Sequence, residues 1–345
     1  MFMIEYTTLG RTGIKVSRLC LGCMNFGGRQ DEAQSIRLIH QALDLGINFL
    51  DTANVYGHDP LNFEVGRGRS EQIVGQALKG GKRENVILAT KVHYQMGNDP
   101  NAQGNSRRHI IEQCEASLKR LNTDYIDLYQ LHGVDTDIPI DESLRALDDL
   151  VRSGKVRYLG TSGFAAWEFL ESLWVAKEYH LQRFISEQPA YNLLDRRIEH
   201  ELLPMAQTYG IAILPWAPSA GGFFAEKYQR DQPAPSGSRY EAFWRRFYKE
   251  SFKEARVFDV QDAVLAIARE RSVSGYAIAL AWCLSRPGVT SPIIGPRTQE
   301  QLTDSLSAAG VELSKEELEL LDAVAPAGSV TVPYVEYKGV HQFRW

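Results

Sequence analysis

Cysteine is scarce in this 345-residue chain, and the scarcity removes a whole class of fold. Four residues (Cys20, Cys23, Cys114 and Cys283) are too few for a disulfide framework at this length. Cys20 and Cys23 form a C-x-x-C, the spacing of a redox pair or of half a zinc site. A zinc site wants a second ligand pair, and none stands at usable spacing. A redox pair wants a helix N-terminus, whereas RLCLGC reads as a buried strand, so the thiols read as structural. Positive charge is not in excess either: 38 basic against 43 acidic residues give a net charge of -5, which argues against a nucleic-acid or polybasic membrane partner. No apolar run approaches the roughly 18 residues of a membrane span, the longest being about 277–284. MFMIEYTTLG lacks the charged-then-apolar order of a signal peptide. With no low-complexity stretch and no linker, these absences predict one soluble, cytoplasmic domain over 1–345, with an aromatic tail from about 327.

What is present is an alternation. Apolar, β-rich runs fall at 18–22, 47–51, 86–91, 126–132, 156–162, 184–188, 211–216 and 291–295. Stretches of helical period lie between them, among them 33–45, 70–78, 107–121 and 141–152, the last read as starting on a capping residue. The strands read as continuous apolar runs, the mark of a parallel sheet buried on both faces. Eight such units close a (β/α)8 TIM barrel, here expected with a short N-terminal β-hairpin and long active-site loops. The alternative, an open doubly wound sheet, should bring G-x-G-x-x-G after its first strand, and GRGRSE is not that motif. Two segments break the rhythm: the polar loop 57–69 and the long stretch 217–258 with its run YEAFWRRFYKESFKEAR.

In a barrel, chemistry sits at the C-terminal ends of strands. INFLD ends in Asp51, ILATK in Lys91 and IDLYQLH in His132, and Tyr56 stands in the loop after Asp51. Singly, each reads as a helix cap, a satisfied core group or one tyrosine of 15. Together they form a set with a purpose. A phenol of pKa roughly 10 donates poorly at neutral pH. An ammonium beside it favours the phenolate, and a carboxylate keeps that ammonium charged. Asp51–Lys91–Tyr56 thus reads as a tuned general acid, with neutral His132 to hold a substrate carbonyl. The remaining histidines show no metal spacing such as H-E-x-x-H, so no metal is expected.

At these residues the chain resembles the aldo-keto reductase superfamily, from LGRTG to IIGPRTQEQL, through INFLDTANVYG, ILATKV, TDYIDLYQLH, GKVRYLGTS, SEQPAYNLLDRR and ILPWAP. The resemblance is to the long-loop branch of aryl-alcohol dehydrogenases and channel β subunits. It implies a single barrel that binds NADPH in extended form, without a Rossmann domain or a metal, and passes a hydride directly to an aldehyde or ketone. It places the catalytic tetrad on Asp51, Tyr56, Lys91 and His132. For the cofactor it implies Ser162 and Gln188 at the carboxamide, Trp216 stacked on the nicotinamide, and the loop from Trp216 and Ala217 to Gly222 along the pyrophosphate. Lys227 and Arg239 match basic residues of that loop. Arg297, Gln301 and Asp304 match positions around the adenosine.

Three departures accompany the resemblance: Gly163 and Ser305 stand where Asn is common, and FAEKY precedes Lys227 in place of smaller residues. NADP rather than NAD follows from charge, since a 2′-phosphate wants cations such as Arg297. Met24, Phe26, Tyr191, Phe223 and Phe224 are expected to face the substrate, with the aromatic tail as a lid. Arg67 and Arg69 read as surface charges, the alternative being contact with an anionic or hydroxyl-rich substrate. Two other readings stay open. One is a non-catalytic NADPH-binding subunit like the potassium-channel β subunits, against which stands His132 where those carry Asn. The other makes Lys91 the Schiff-base residue of a barrel aldolase.

Overall fold

The computed structural model describes residues 4–58, 65–230, 232, 234–236, 238 and 255–334. Two short strands, β1 (Tyr6–Thr8) and β2 (Lys15–Ser17), pair antiparallel as the expected hairpin. Eight strands follow in one parallel sheet: β3 (Cys20–Gly22), β4 (Phe49–Asp51), β5 (Ile87–Val92), β6 (Ile126–Leu131), β7 (Val156–Ser162), β8 (Phe184–Gln188), β9 (Ala212–Ile213) and β10 (Ile293–Ile294). Their order is β10-β3-β4-β5-β6-β7-β8-β9. The ring closes where Thr290 N donates to Ile213 O at 2.9 Å and Ile293 N to Pro215 O at 2.8 Å. The result is a (β/α)8 barrel.

Helices fill the crossovers. They are α1 (Glu32–Asp44), α2 (Arg69–Ala77), α3 (Arg107–Leu121), α4 (Ile140–Arg152), α5 (Ala166–Glu178), α6 (Leu202–Tyr209), α7 (Ala255–Arg271), α8 (Gly275–Ser285), α9 (Gln299–Ala308) and α10 (Lys315–Val324). Their ends follow local chemistry. Asp31 caps α1 by accepting from Gln34 N, and Ser106 caps α3 by accepting from His109 N. Helix α4 departs from expectation: Pro139 is its N-cap, without a side-chain bond, and Asp141 sits inside the first turn. There its charge favours the helix N-terminus without capping it.

Alternation along each strand sorts the residues. On β5, Leu88 and Val92 pack outward with the helices, while Ala89 turns inward. The lower interior is apolar: Cys20, Phe49, Ala89, Leu128, Ala212 and Leu214, with Leu9 and Val16 from the hairpin region, all fully buried. All four cysteines are buried and uncrosslinked, and burial pushes the Cys20 and Cys23 thiols up. Strand β8 carries an irregularity, since Leu159 pairs Phe184 but Gly160 pairs Ser186. The extra residue, Ile185, reverses the phase. Phe184 therefore packs outward against Phe169 on α5, while Gln188 turns to the interior. Among the described residues no helix is long and apolar enough to cross a membrane.

Candidate active site

Above the apolar plug, the interior turns polar within one strand period. Asp51 ends β4 in register with Ala89, and Lys91 lies opposite Gln130 on β6. Lys91 Nζ forms an ion pair with Asp51 Oδ1. It also donates to Thr52 O at 2.9 Å and to the Tyr56 hydroxyl at 3.5 Å. The Tyr56 hydroxyl lies 3.2 Å from His132 Nε2. The four side chains from three strand ends and one loop thus form one continuous chain of contacts.

Local backbone explains how Tyr56 reaches the others. Past β4 the chain keeps bonding to β5, Thr52 N to Ala89 O and Asn54 N to Lys91 O, and then turns as Tyr56 N donates to Ala53 O. Gly57 completes the turn at φ 95, where a Cβ would stand 2.6 Å from Ser70 N, so only glycine fits. His132 is held by its own N–H, which donates to Val92 O at 2.8 Å.

Electrostatics divides the four. For Lys91, burial opposes the charge, but Asp51 and Tyr56 more than offset it, and the ammonium is held above its ordinary range. Burial, the Lys91 charge and His93 hold His132 well below the usual imidazole range, hence neutral. Tyr56 departs from expectation. Lys91 draws the phenol down, but desolvation of the hydroxyl end is larger and the net direction is up. In the free protein Tyr56 is a firmly protonated donor rather than an acidified one.

Two amides that carry no charge complete the layer. Gln130 Nε2 donates to Asp51 Oδ2 at 3.0 Å, and Gln188 Nε2 donates to the same oxygen at 2.9 Å. Gln130 was not singled out from sequence, although it stands two residues before His132 on one strand, the spacing that shares a face. Tyr94 was also passed over. Its ring meets His132 edge-on at 4.8 Å and is 48% exposed.

The positions matched to a cofactor divide into those gathered at the mouth and those at its rim. Ser162 ends β7 and donates to Gln188 O at 2.9 Å. Trp216 bridges Ala190 in parallel and meets the Tyr334 ring edge-on at 5.8 Å. Ala217, Ala220, Gly221 and Gly222 all have left-handed φ, which folds this loop tightly, and Asn192 Nδ2 anchors it on Ala217 O at 3.1 Å. A Cβ at Gly222 would meet nothing within 4 Å. Gly163 has φ 75 with open space beside it, so the αL backbone that Asn or Gly adopts is kept while the amide is lost. Lys227 is exposed and lies over the Tyr228 ring. Gln301 Oε1 accepts from Arg297 N at 2.8 Å, and Asp304 accepts from Ser274 Oγ. Ser305 is buried, its hydroxyl bonded to Gln301 O and Tyr276. Arg239 lies outside the described residues.

Arg29 is a further cation that sequence reasoning missed, because its partner is remote in the chain. Burial and the neighbouring Arg297 charge both lower it, and Gln30 Nε2 ties the two loops by donating to Arg297 O at 2.9 Å. Neither guanidinium has a carboxylate partner among the described residues. Arg69, by contrast, pairs with Glu32.

Most of the aromatics expected at the substrate are buried in this structure. Tyr191 is fully buried, its ring 5.1 Å from Trp282 and its hydroxyl donated to Glu199. Phe26 and Phe224 are fully buried, and Phe223 is wedged among Phe224, Tyr228 and Phe258. Tyr191 and Phe223 each find an aromatic partner distant in sequence, Trp282 and Phe258. Met24, 39% exposed, is the member of that set left at the mouth.

The Aldo/keto reductase family model matches residues 18–326. A Bacillus subtilis protein named uncharacterized oxidoreductase YrpG is 40% identical over 337 residues, covering 96% of this chain and 98% of its own. A probable voltage-gated potassium channel subunit beta of Oryza sativa is 35% identical, covering 93% and 96%. Versiconal hemiacetal acetate reductase of Aspergillus parasiticus is 34% identical, covering 92% and 96%.

Proposed function

This chain belongs to the aldo/keto reductase family, and from that premise we propose that it reduces an aldehyde or ketone to the alcohol with NADPH, reversibly. The observation that carries the proposal is the unbroken run of contacts from Asp51 through Lys91 and Tyr56 to His132. When bound, the reduced nicotinamide supplies the hydride for the carbonyl carbon. The chain supplies the rest. Neutral His132 and the Tyr56 hydroxyl hold the carbonyl oxygen, and Tyr56 gives it a proton as negative charge develops there. Lys91, kept charged by Asp51, stabilises the phenolate that remains.

The donor set fits a nicotinamide dinucleotide. Gln188 and Ser162 are polar groups of the size and kind that hold a carboxamide, Trp216 offers a ring face, and the left-handed loop 217–222 suits an anion. Arg297 with Arg29 supplies paired charge for a 2′-phosphate, which favours NADPH over NADH. Met24, just past β3, and Tyr94, just past β5 and against His132, are the exposed side chains that would meet an aryl, aliphatic or sugar-derived carbonyl. The aldolase reading loses support because a lysine held charged is a poor Schiff-base nucleophile.

The test is a parallel titration of the purified protein with NADPH and NADH, followed by tryptophan fluorescence, then a panel of aryl, aliphatic and sugar aldehydes. NADPH binding followed by its oxidation is the expected result. Binding without oxidation across the panel would favour a nucleotide-sensing subunit, the reading that similarity to the Oryza protein supports. Binding of neither nucleotide would overturn both.

A further inference from the structure

Three polar side chains meet around Asp51 in an arrangement whose polarity is dictated by chemistry. Asp51 Oδ1 faces Lys91, and Oδ2 accepts from both Gln130 Nε2 and Gln188 Nε2. Gln188 Nε2 also donates to Gln130 Oε1 at 3.2 Å. All of these groups are buried, Gln130 and Lys91 completely. An ionised carboxylate only accepts, so neither amide can turn its oxygen toward Asp51. Gln188 therefore spends its amide hydrogens on Asp51 and Gln130. Its Oε1 has no partner among the described residues, and that atom can only accept. Gly160 makes room for the cluster. It pairs with Gln130 in the ladder, and a Cβ there would crowd Gln130 Cγ at 3.1 Å and collide with Ser186 Oγ.

We propose that Asp51 has a second task, as the group that sets the polarity of cofactor recognition: through the Gln130–Gln188 amide pair it fixes Gln188 to present an acceptor, so that a nicotinamide carboxamide is read by its NH2. This rests on the nicotinamide-cofactor reading above. Gln130 and Asp51 are, in this task, positioning residues for Gln188. The inference carries a specific reversal. In Asp51→Asn the new amide must still offer an oxygen to the Lys91 ammonium, which turns its NH2 toward Gln130 and Gln188. Both glutamines then have reason to turn their oxygens inward, and Gln188 presents NH2 outward.

The experiment compares NADP+ with its 3-acetylpyridine analogue, in which a methyl replaces the carboxamide NH2, by fluorescence titration, with 2′,5′-ADP as a ligand lacking the nicotinamide. The wild type is expected to prefer NADP+ by about tenfold, the scale of one buried acceptor left unpaired. In Asp51→Asn that preference is expected to shrink to within about twofold, with 2′,5′-ADP affinity unchanged. Gln130→Met, which takes away the acceptor of the second Gln188 amide hydrogen while leaving the Asp51 charge in place, is expected to shrink the preference part of the way, to between that of the wild type and that of Asp51→Asn, and an undiminished preference would overturn the role of the amide pair. A wild type without preference, or an Asp51→Asn variant that retains it, would overturn the proposal. Binding of none of the three ligands would instead sink the nucleotide reading beneath it. Should Asp51→Asn not fold, the paired replacement Asp51→Leu with Lys91→Met removes both charges together. That variant is expected to lose the preference, and its retention would count equally against the proposal.

Discussion

The lower and upper halves of the barrel interior stand on the same strands, two residues apart, and are built on opposite principles. Below, Phe49, Ala89 and Leu128 pack with the hairpin-side Leu9 and Val16 at full burial. Above, Asp51, Lys91 and Gln130 are buried almost as completely yet carry charge and amides. In the lower half burial itself stabilises, at about 25 cal/mol per Å² of apolar surface removed from water. In the upper half burial costs, and the cost is offset where the charges and amides pair with one another, as Asp51 does with Lys91, Gln130 and Gln188. One strand period thus separates a layer that holds the barrel together from a layer whose desolvated charges hold Lys91 protonated and His132 neutral.

The largest effect should come from making half of the upper layer resemble the lower. Lys91→Met leaves Asp51 buried beside two amides without its cation, and about 3–5 kcal/mol of stability should be lost in urea unfolding, with turnover. Adding Asp51→Leu should restore most of the stability and none of the turnover. If the double variant were as unstable as the single one, the ion pair would be structural and the contrast between layers would fail. The converse change is Leu128→Ala, expected to cost about 2–5 kcal/mol while kcat/KM per folded molecule stays within about twofold.

A smaller effect concerns Glu187, which lies on β8 beside Gln188, fully buried and accepting from Phe164 N at 3.0 Å and from Thr161 Oγ1. Burial lifts its carboxyl from 4.5 to about 8, despite bonds from Thr161, Phe164 and Gly163 that favour the ionised form, and Glu168 adds to the rise. The folded protein then holds a proton that the unfolded chain releases near 4.5. This contribution to stability is full below that pH and is lost as pH rises toward about 8. Glu187→Gln should flatten the slope, measurable as a smaller drop in Tm between pH 5 and 9; an unchanged slope would refute the assignment. The smallest effect is at the rim. Arg297→Ala should raise KM for NADPH about tenfold and that for NADH much less, and equal changes would remove the 2′-phosphate role.

Legibility in the sequence followed the same division between layers. Each of the eight apolar windows falls on a barrel strand, because a doubly buried parallel strand leaves a run that needs no partner to be recognised. Some strands are shorter in the structure, as at 211–216, where β9 keeps only Ala212–Ile213, while β7 and β8 match their windows. Asp51, Lys91 and His132 were visible because ionisable residues at strand ends are conspicuous. Gln130 was not, being neutral, and the inward turn of Gln188 depends on the extra residue Ile185 in β8, which no two-residue period foretells. The burial of the aromatics was not legible for a related reason. Nothing near Tyr191 or Phe223 in the chain announces Trp282 or Phe258, whose contacts make them core.

The most direct test of the account is Tyr56→Phe, assayed for NADPH oxidation with the best carbonyl of the panel and for NADPH affinity by tryptophan fluorescence. Loss of the hydroxyl should lower turnover by roughly 10²–10⁴ while affinity stays within a few-fold. Near-normal turnover in that variant would mean that the proton comes from another group, and that the chain of contacts from Asp51 to His132 is not the centre of the reaction.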